Sequence, residues 1–412
     1  MNPYLVFILA AMALRLCLEV LADFFNIRNL RLAAPEALRD IYDEAQYRRS
    51  QEYLRINTRF SIFQDLLCTA ILVAFILWGG FGRMDTWARG FGFGPIPTGL
   101  LFTAALFLLG RLLHLPFALV DTFVIEERFG FNRTTIRTFC FDMVKSLLIV
   151  AILGGPIYVA ILWLFAHAGH QAWLWVWITV TAFQLLLTFL APSLLMPLFN
   201  KFSPLPEGEL RTALESYARQ ENFAMRGVYV MDGSRRSAKA NAFFTGFGRA
   251  RRIVLFDTLV ENHTIPELIG ILAHEMGHFK KRHVLQAMAR SILLTGTTLF
   301  LLSRFLNNPT LTAAFGVATP SVYTALVFFS FLYAPITLLV GVIENAISRR
   351  HEYAADAYAA RTTRTAAPLI DALKKLNRDN LSNRTPHPLK VFLEYSHPPL
   401  LARITAMRSI QS

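Results

Sequence analysis

His274-Glu275-Met276-Gly277-His278 sets two imidazoles four residues apart, with a carboxylate directly after the first. On a helix, residues four apart share a face, so both rings reach one zinc ion and Glu275 lies beside the metal's open position. The chemistry that fits is amide hydrolysis: zinc lowers the pKa of water, and Glu275 takes the proton as hydroxide attacks a carbonyl and passes it to the leaving amine. Catalytic zinc takes a third protein ligand and keeps a fourth position open. Ser348-Arg-Arg-His-Glu-Tyr-Ala-Ala-Asp356 supplies candidates, because Glu352 and Asp356 are four apart on what reads as a helix. One can ligate while the other orients a ligand histidine. His351 is a rival ligand, but on a helix it points about 100° away from Glu352. The plain alternative for the pair is a solvated helix surface.

These side chains need a frame. Thr264-Ile-Pro-Glu267 is a capping box with Pro in the first turn, which starts the HExxH helix and is expected to run on into a membrane span. Upstream, residues 227–231 read as a strand, and residues 240–245, Gly246-Phe-Gly248 and residues 252–256 as a hairpin. The chain has 412 residues, 54% hydrophobic and only 17% charged, with 35 Phe, which is too apolar for a soluble domain. Disorder, collagen-like and disulfide-rich classes are excluded as well; Cys17, Cys68 and Cys140 have no CxxC partner. Runs of about 20 apolar residues fall near 4–23, 61–80, 99–120, 141–167, 172–198, 286–306 and 322–343. The first reads as a retained helix rather than a signal peptide.

The net charge of +13 is explained by loops on one membrane face rather than by nucleic acid. Arg28, Arg31, Arg39, Arg48, Arg49, Arg55 and Arg59 follow span one, and Arg128, Arg133 and Arg137 follow span three. Opposite loops carry little beyond Arg83, Arg89 and Arg304. The positive-inside rule then puts the N-terminus outside and the C-terminus, with both long polar regions, in the cytoplasm. The expected division is 1–198 (spans one to five), 199–285 (hairpin and HExxH helix), 286–343 (spans six and seven) and 344–412 (third ligand and C-terminal segment). Arg15 with Glu19, Asp142 with Lys145, Arg111 and His114 lie within spans, where charges face protein or water.

The chain resembles the Ste24-type CAAX prenyl proteases, zinc metallopeptidases of the M48 group, through a collinear set of segments. These are Glu126-Glu-Arg-Phe-Gly-Phe-Asn132, Pro197-Leu-Phe-Asn-Lys-Phe202, Asn241-Ala-Phe-Phe-Thr-Gly246, Arg252-Ile-Val-Leu-Phe-Asp-Thr258, HExxH, the Ser348 to Asp356 segment, and Tyr395-Ser-His-Pro-Pro-Leu-Leu-Ala-Arg403. The resemblance implies an all-α multi-pass membrane protein, seven helices forming a barrel around a water-filled chamber, with a small α+β zincin-like catalytic domain. It implies one Zn2+ per chain held by His274, His278 and Glu352, Glu275 as base, Asp356 supporting a ligand, and His397 assisting catalysis. It also puts Asn241, Ala242, Phe243 and Arg403 at the substrate, with Asn241 on a strand edge. Local alternatives are a strand-end turn for Asn241 and a helix-start cap for His397-Pro-Pro.

The expected partners are the lipid bilayer and a peptide or protein substrate, prenylated or membrane-embedded, and no nucleic acid; the oligomeric state stays open. The expected membrane is the inner membrane of a bacterium, where general membrane-protein turnover replaces prenyl specificity, or the endoplasmic reticulum of a eukaryote. A zinc-holding channel or transporter explains the spans but not Glu275. A site-2 type protease needs an LDG-like motif downstream of HExxH within a span, whereas Lys280, Lys281 and Arg282 follow directly. The chain's end, Ser409-Ile-Gln-Ser412, is not itself a CAAX box.

Overall fold

The computed structural model describes residues 2–30, 44–245 and 251–410. Arg31, Arg39, Gly246-Phe-Gly248 and the last two residues, all invoked above, lie outside the described residues. Among the described residues, seven helical runs are long and apolar enough to cross a membrane: Pro3–Arg28, Glu44–Leu77, Pro95–Glu126, Ile136–His167, Gly169–Leu198, His283–Ser303 and Val322–Thr362.

The first five runs are built from α1 (Pro3–Arg28), α2 (Glu44–Leu77), α4 (Pro95–Val120), α5 (Ile136–Ile149) with α6 (Gly155–His167), and α7 (Ala172–Leu190); the short α3 (Gly80–Arg89) joins the second to the third. Helices α11 (His283–Ser303) and α13 (Val322–Thr362) form the last two, linked through α12 (Pro309–Ala313). Neighbours close a ring. Helix α1 packs on α2 and α13, α2 reaches α4 through α3, and α4, α6, α7, α11 and α13 follow in turn. In each apolar stretch only 6–17% of the residues are buried within the protein, the pattern of helices that face lipid rather than a packed interior. This is the seven-helix, barrel-like membrane architecture expected.

The catalytic part folds around a small sheet. Strands β1 (Phe202–Pro204), β2 (Gly227–Met231), β3 (Ala242–Thr245) and β4 (Arg252–Phe256) lie in the order β1-β2-β4-β3. Strands β2 and β4 pair parallel, and β3 pairs antiparallel with β4 at the sheet edge. Helix α8 (Glu209–Gln220) lies between β1 and β2, α9 (Asp257–Asn262) follows β4, and α10 (Ile265–Lys280) carries HExxH. Buried Val228, Ile253 and Leu255 of the sheet meet Leu268, Ile271, Leu272 and Met276 of α10 in one core. Helices α14 (Ala367–Asp379) and α16 (Leu400–Arg408) complete it, with Leu369, Ile370, Leu400, Ile404 and Met407 in the same core, while the short α15 (Pro388–Glu394) packs on α1 and α13.

Two features differ from the sequence expectation. The HExxH helix does not run on into span six: α10 stops at Lys280, and Arg282 at φ 58° turns the chain into α11. The left-handed residue ends one hydrogen-bond ladder and starts another in a new direction. Span seven, by contrast, does not stop at residue 343. At about 1.5 Å per residue, the 41 residues of α13 measure about 60 Å, twice the roughly 30 Å of hydrocarbon, so one helix carries both the span and Glu352.

Candidate metal centre and active site

Helix α10 is started by the capping box foreseen in the sequence. Glu267 Oε2 accepts from the Thr264 amide at 2.8 Å and from Lys375 Nζ on α14 at 2.8 Å. The Lys375 ammonium and Thr264 donors hold its carboxyl below the ordinary carboxylate range, outweighing the opposing effect of burial. One face of α10 is buried against the sheet and α14, and the other lies on α13. Gly277 makes this second contact close: a Cβ there would stand 2.9 Å from Ala355 Cα and 3.1 Å from Ala355 O.

The two helices thus bring three donors together. His274 Nε2 lies 3.2 Å from His278 Nε2 and 3.4 Å from Glu352 Oε2, and His278 Nε2 lies 3.1 Å from Glu352 Oε1. Tetrahedral zinc with bonds of about 2.0–2.1 Å spaces its ligands about 3.3 Å apart, so this triangle has the size of a zinc site. Glu352 is 4% exposed, and its Oε2 accepts no hydrogen bond. A buried, unsatisfied carboxylate oxygen is costly unless a cation meets it. The donor set, and a carboxylate oxygen that accepts no hydrogen bond although the Arg403 guanidinium lies 3.4 Å away, both fit a divalent metal.

Around the triangle stand supporting groups. His274 Nδ1 meets Asp356 Oδ1 at 2.9 Å, the carboxylate–histidine arrangement that fixes which ring nitrogen faces a metal. Burial disfavours the charged ring, but the Asp356 and Glu352 hydrogen bonds outweigh it and push His274 up to about 9 in the metal-free protein. Glu275, between the two histidines, is raised above the ordinary carboxylate range by burial, with His274 and His278 pulling against it. A base lifted in this way holds a proton more readily. His397 Nε2 points at the triangle, 3.5 Å from Glu352 Oε1, while its side chain stays 63% exposed on the open side.

Arg403 differs from its expected substrate role. It is 7% exposed, and its guanidinium grips Asp356 at 2.6 and 2.8 Å and lies 3.4 Å from Glu352 Oε2. Its contacts are with the ligand set, and its charge offsets two buried carboxylates. His351 does not enter the triangle; it stacks on His283 at 3.9 Å with ring planes 3° apart. His283, which a continuous helix would place off the ligand face, lies with Nδ1 3.0 Å from His278 Nδ1. The break at Arg282 folds it back, and the basic run from Lys280 to Arg282 is the sequence signal for that break.

Asn241 and β3 form the rim. Phe256 N donates to Asn241 O at 3.0 Å, so by antiparallel alternation the main-chain groups of Ala240, Ala242 and Phe244 face away from β4, toward the free edge. Ala240 is already taken: Asn380 receives its N–H on Oδ1 at 3.1 Å and donates to its carbonyl at 3.2 Å. The Asn241 side chain accepts from the Ala242 amide at 2.9 Å, a local turn-like bond. Phe243 belongs to the set that pairs with β4. Lys239, just upstream, is held by Glu126 at 2.9 Å and the Tyr53 hydroxyl at 2.9 Å, which ties the edge to spans two and three.

Two family models cover the chain. Residues 25–201 match the CAAX prenyl protease N-terminal region with five membrane helices, and residues 204–411 match peptidase family M48. The chain belongs to the CAAX prenyl protease family of M48 peptidases. It is 36% identical to the probable CAAX prenyl protease 1 of Schizosaccharomyces pombe over 92% of this chain and 82% of that protein. To the human CAAX prenyl protease 1 homolog it is 30% identical, over 92% and 89%. The crystal structure of S. mikatae Ste24p superposes with a TM-score of 0.94 at 31% identity, covering 99% of both chains. The chain is thus a multi-pass membrane metallopeptidase of the CAAX prenyl protease type, with a His-His-Glu group able to hold a metal.

Proposed function

We propose that this enzyme binds one zinc ion through His274, His278 and Glu352 and hydrolyses a peptide bond of a prenylated substrate at the cytoplasmic surface of its membrane. The observation that carries the reading is the donor triangle, with edges of 3.1–3.4 Å, and with Glu275 within electrostatic reach of all three of its members. Zinc bound there supplies Lewis acidity that makes water acidic near neutral pH. Glu275 accepts that water's proton at its carboxylate and returns it to the leaving amine nitrogen. His397, on the exposed side, donates from Nε2 to the carbonyl oxygen as negative charge builds on it. Asp356 and Arg403 hold the His274 ring and the Glu352 carboxylate in place. An extended peptide lies along β3, bonded to the Ala242 carbonyl and to the outward main-chain groups of Phe244, with Asn241 at the head of the track.

The prenyl preference rests on the names of the matched relatives, each of which is a CAAX prenyl protease. The cytoplasmic placement rests on the basic loops after spans one and three. The test compares cleavage of a farnesylated CAAX peptide with its unmodified twin by wild type and Glu275→Gln, with zinc counted in both proteins. The expected result is one zinc per chain in each, cleavage by wild type alone, and preference for the farnesylated peptide. Equal rates on the two peptides refute prenyl specificity and favour general turnover of membrane proteins. Cleavage surviving full zinc removal refutes the metal site.

A further inference from the structure

We infer that His283 is a positioning residue for the metal centre: it holds the His278 ring through an Nδ1 to Nδ1 hydrogen bond, as Asp356 holds His274. This rests on the zinc reading above and extends it to a residue outside the HExxH motif. His278 turns Nε2 to the donor triangle, 3.1 Å from Glu352 Oε1. A neutral imidazole that ligates through Nε2 carries its proton on Nδ1. That nitrogen lies 3.0 Å from His283 Nδ1, so His278 donates and His283 accepts, its own proton resting on Nε2.

The acceptor is held firmly. His283 is 7% exposed, its ring is stacked on His351 at 3.9 Å and 3°, and the left-handed turn at Arg282 brings it back beneath the helix that carries His278. The two histidine ligands are therefore supported asymmetrically, one by a carboxylate that balances charge and the other by a neutral ring that gives direction alone. Removing such a partner characteristically weakens metal affinity about 10 to 100-fold.

The test separates hydrogen bonding from stacking. In His283→Phe the ring remains to stack on His351 but accepts nothing. In His283→Asn an oxygen stands where Nδ1 stood, and the ring is gone. Zinc affinity is measured by chelator competition on full-length, detergent-solubilised wild type, His283→Phe and His283→Asn, alongside the melting temperature of each zinc-free protein. The expected result is about a 10 to 100-fold loss of affinity in His283→Phe and affinity within a few-fold of wild type in His283→Asn, with no drop in either zinc-free melting temperature beyond that of a conservative buried substitution. Unchanged affinity in His283→Phe, or a loss in His283→Asn as large as that in His283→Phe, overturns the positioning role. So does a fall in zinc-free melting temperature that tracks the affinity loss, because His283 is then a packing residue. A wild type that binds no zinc fails the metal reading itself, which is distinct from failure of the His283 role.

Discussion

Gly277→Ala is the sharpest probe of how the site is assembled, because it replaces neither a proposed ligand nor a residue assigned to substrate. The added methyl would stand 2.9 Å from Ala355 Cα, 3.1 Å from Ala355 O and 3.1 Å from Tyr358 Cβ. Carbon atoms in contact sit about 3.5–4.0 Å apart, so α10 must move off α13 by at least about 0.5 Å. His278 is the next residue along α10, and Glu352 lies one turn from Ala355 on α13. The 3.1 Å and 3.4 Å gaps between the histidines and Glu352 then open by up to about 0.5 Å, to about 3.6 and 3.9 Å, beyond the roughly 3.3 Å ligand spacing of tetrahedral zinc. Overpacking of this kind costs about 1–3 kcal/mol, and zinc binding must repay it to restore the triangle. The expected loss is therefore about 5 to 150-fold in affinity, read by chelator competition. Gly270→Ala is the matched control: its methyl would meet Leu369 N at 2.9 Å, pushing α10 from α14 and not from α13. It should lower the melting temperature and leave zinc affinity nearly unchanged. If Gly277→Ala binds zinc as wild type does, or both variants lose affinity alike, the close contact between α10 and α13 does not set the ligand spacing.

Three further outcomes are expected. Glu352→Ala should release zinc and abolish cleavage, and Asp356→Ala should weaken zinc about 10 to 100-fold, whereas His351→Ala keeps the metal; zinc loss in His351→Ala with retention in Glu352→Ala would reverse the ligand assignment. Zinc affinity should rise with pH, since only the neutral ring ligates and His274 sits at about 9 without metal: each unit below that value costs about tenfold in affinity and binding releases a proton, so pH-independent affinity in a competition titration contradicts the network around His274. Proline beside the scissile bond should block cleavage more than a side-chain swap does, because it removes a donor that pairs with the edge, and Asn241→Ala should change KM or kcat without releasing zinc; equal processing of proline and alanine substrates, with a silent Asn241→Ala, refutes docking on β3.

The parts legible in the sequence are those encoded by local periodicity. HExxH and the Glu352 to Asp356 spacing each place groups on one helix face, and hydropathy marks all seven spans, since lipid demands long apolar runs. What escaped depends on tertiary contact. Asp142 and Lys145 pair as helix neighbours at 3.7 Å, as their spacing suggests, but Asp142 also takes the Arg236 fork at 2.8 and 3.1 Å. Arg236 comes from the loop before β3, and no local rule points to it. Asn380 reaches Ala240 across 140 residues of chain. The resemblance puts Arg403 at the substrate, whereas its guanidinium turns inward to Asp356, a contact with no local signal in the sequence. A continuous helix would carry His283, five residues past His278, away from the metal, and the break at Arg282 brings it back.

That break and the unbroken α13 have a common consequence. The two histidine ligands ride on α10, which stops at Lys280 before the chain enters span six, so the ladder of hydrogen bonds in α11 does not continue into the helix that holds them. Glu352 rides on the same helix as span seven. The position of the third ligand is therefore tied to the membrane part by a continuous hydrogen-bonded helix, while the first two are tied to the sheet through Leu268, Ile271, Leu272 and Met276. The packing of α10 on α13 brings the two frames into register, and the Arg403 fork on Asp356 adds a charged clamp from α16 at the same level. Catalytic groups on helices locked by neighbouring side chains keep their geometry better than groups on loops. The three proposed zinc ligands all obey that rule. The exposed members, His397 and Asn241, sit at element ends facing the open side, where a substrate has to enter and leave.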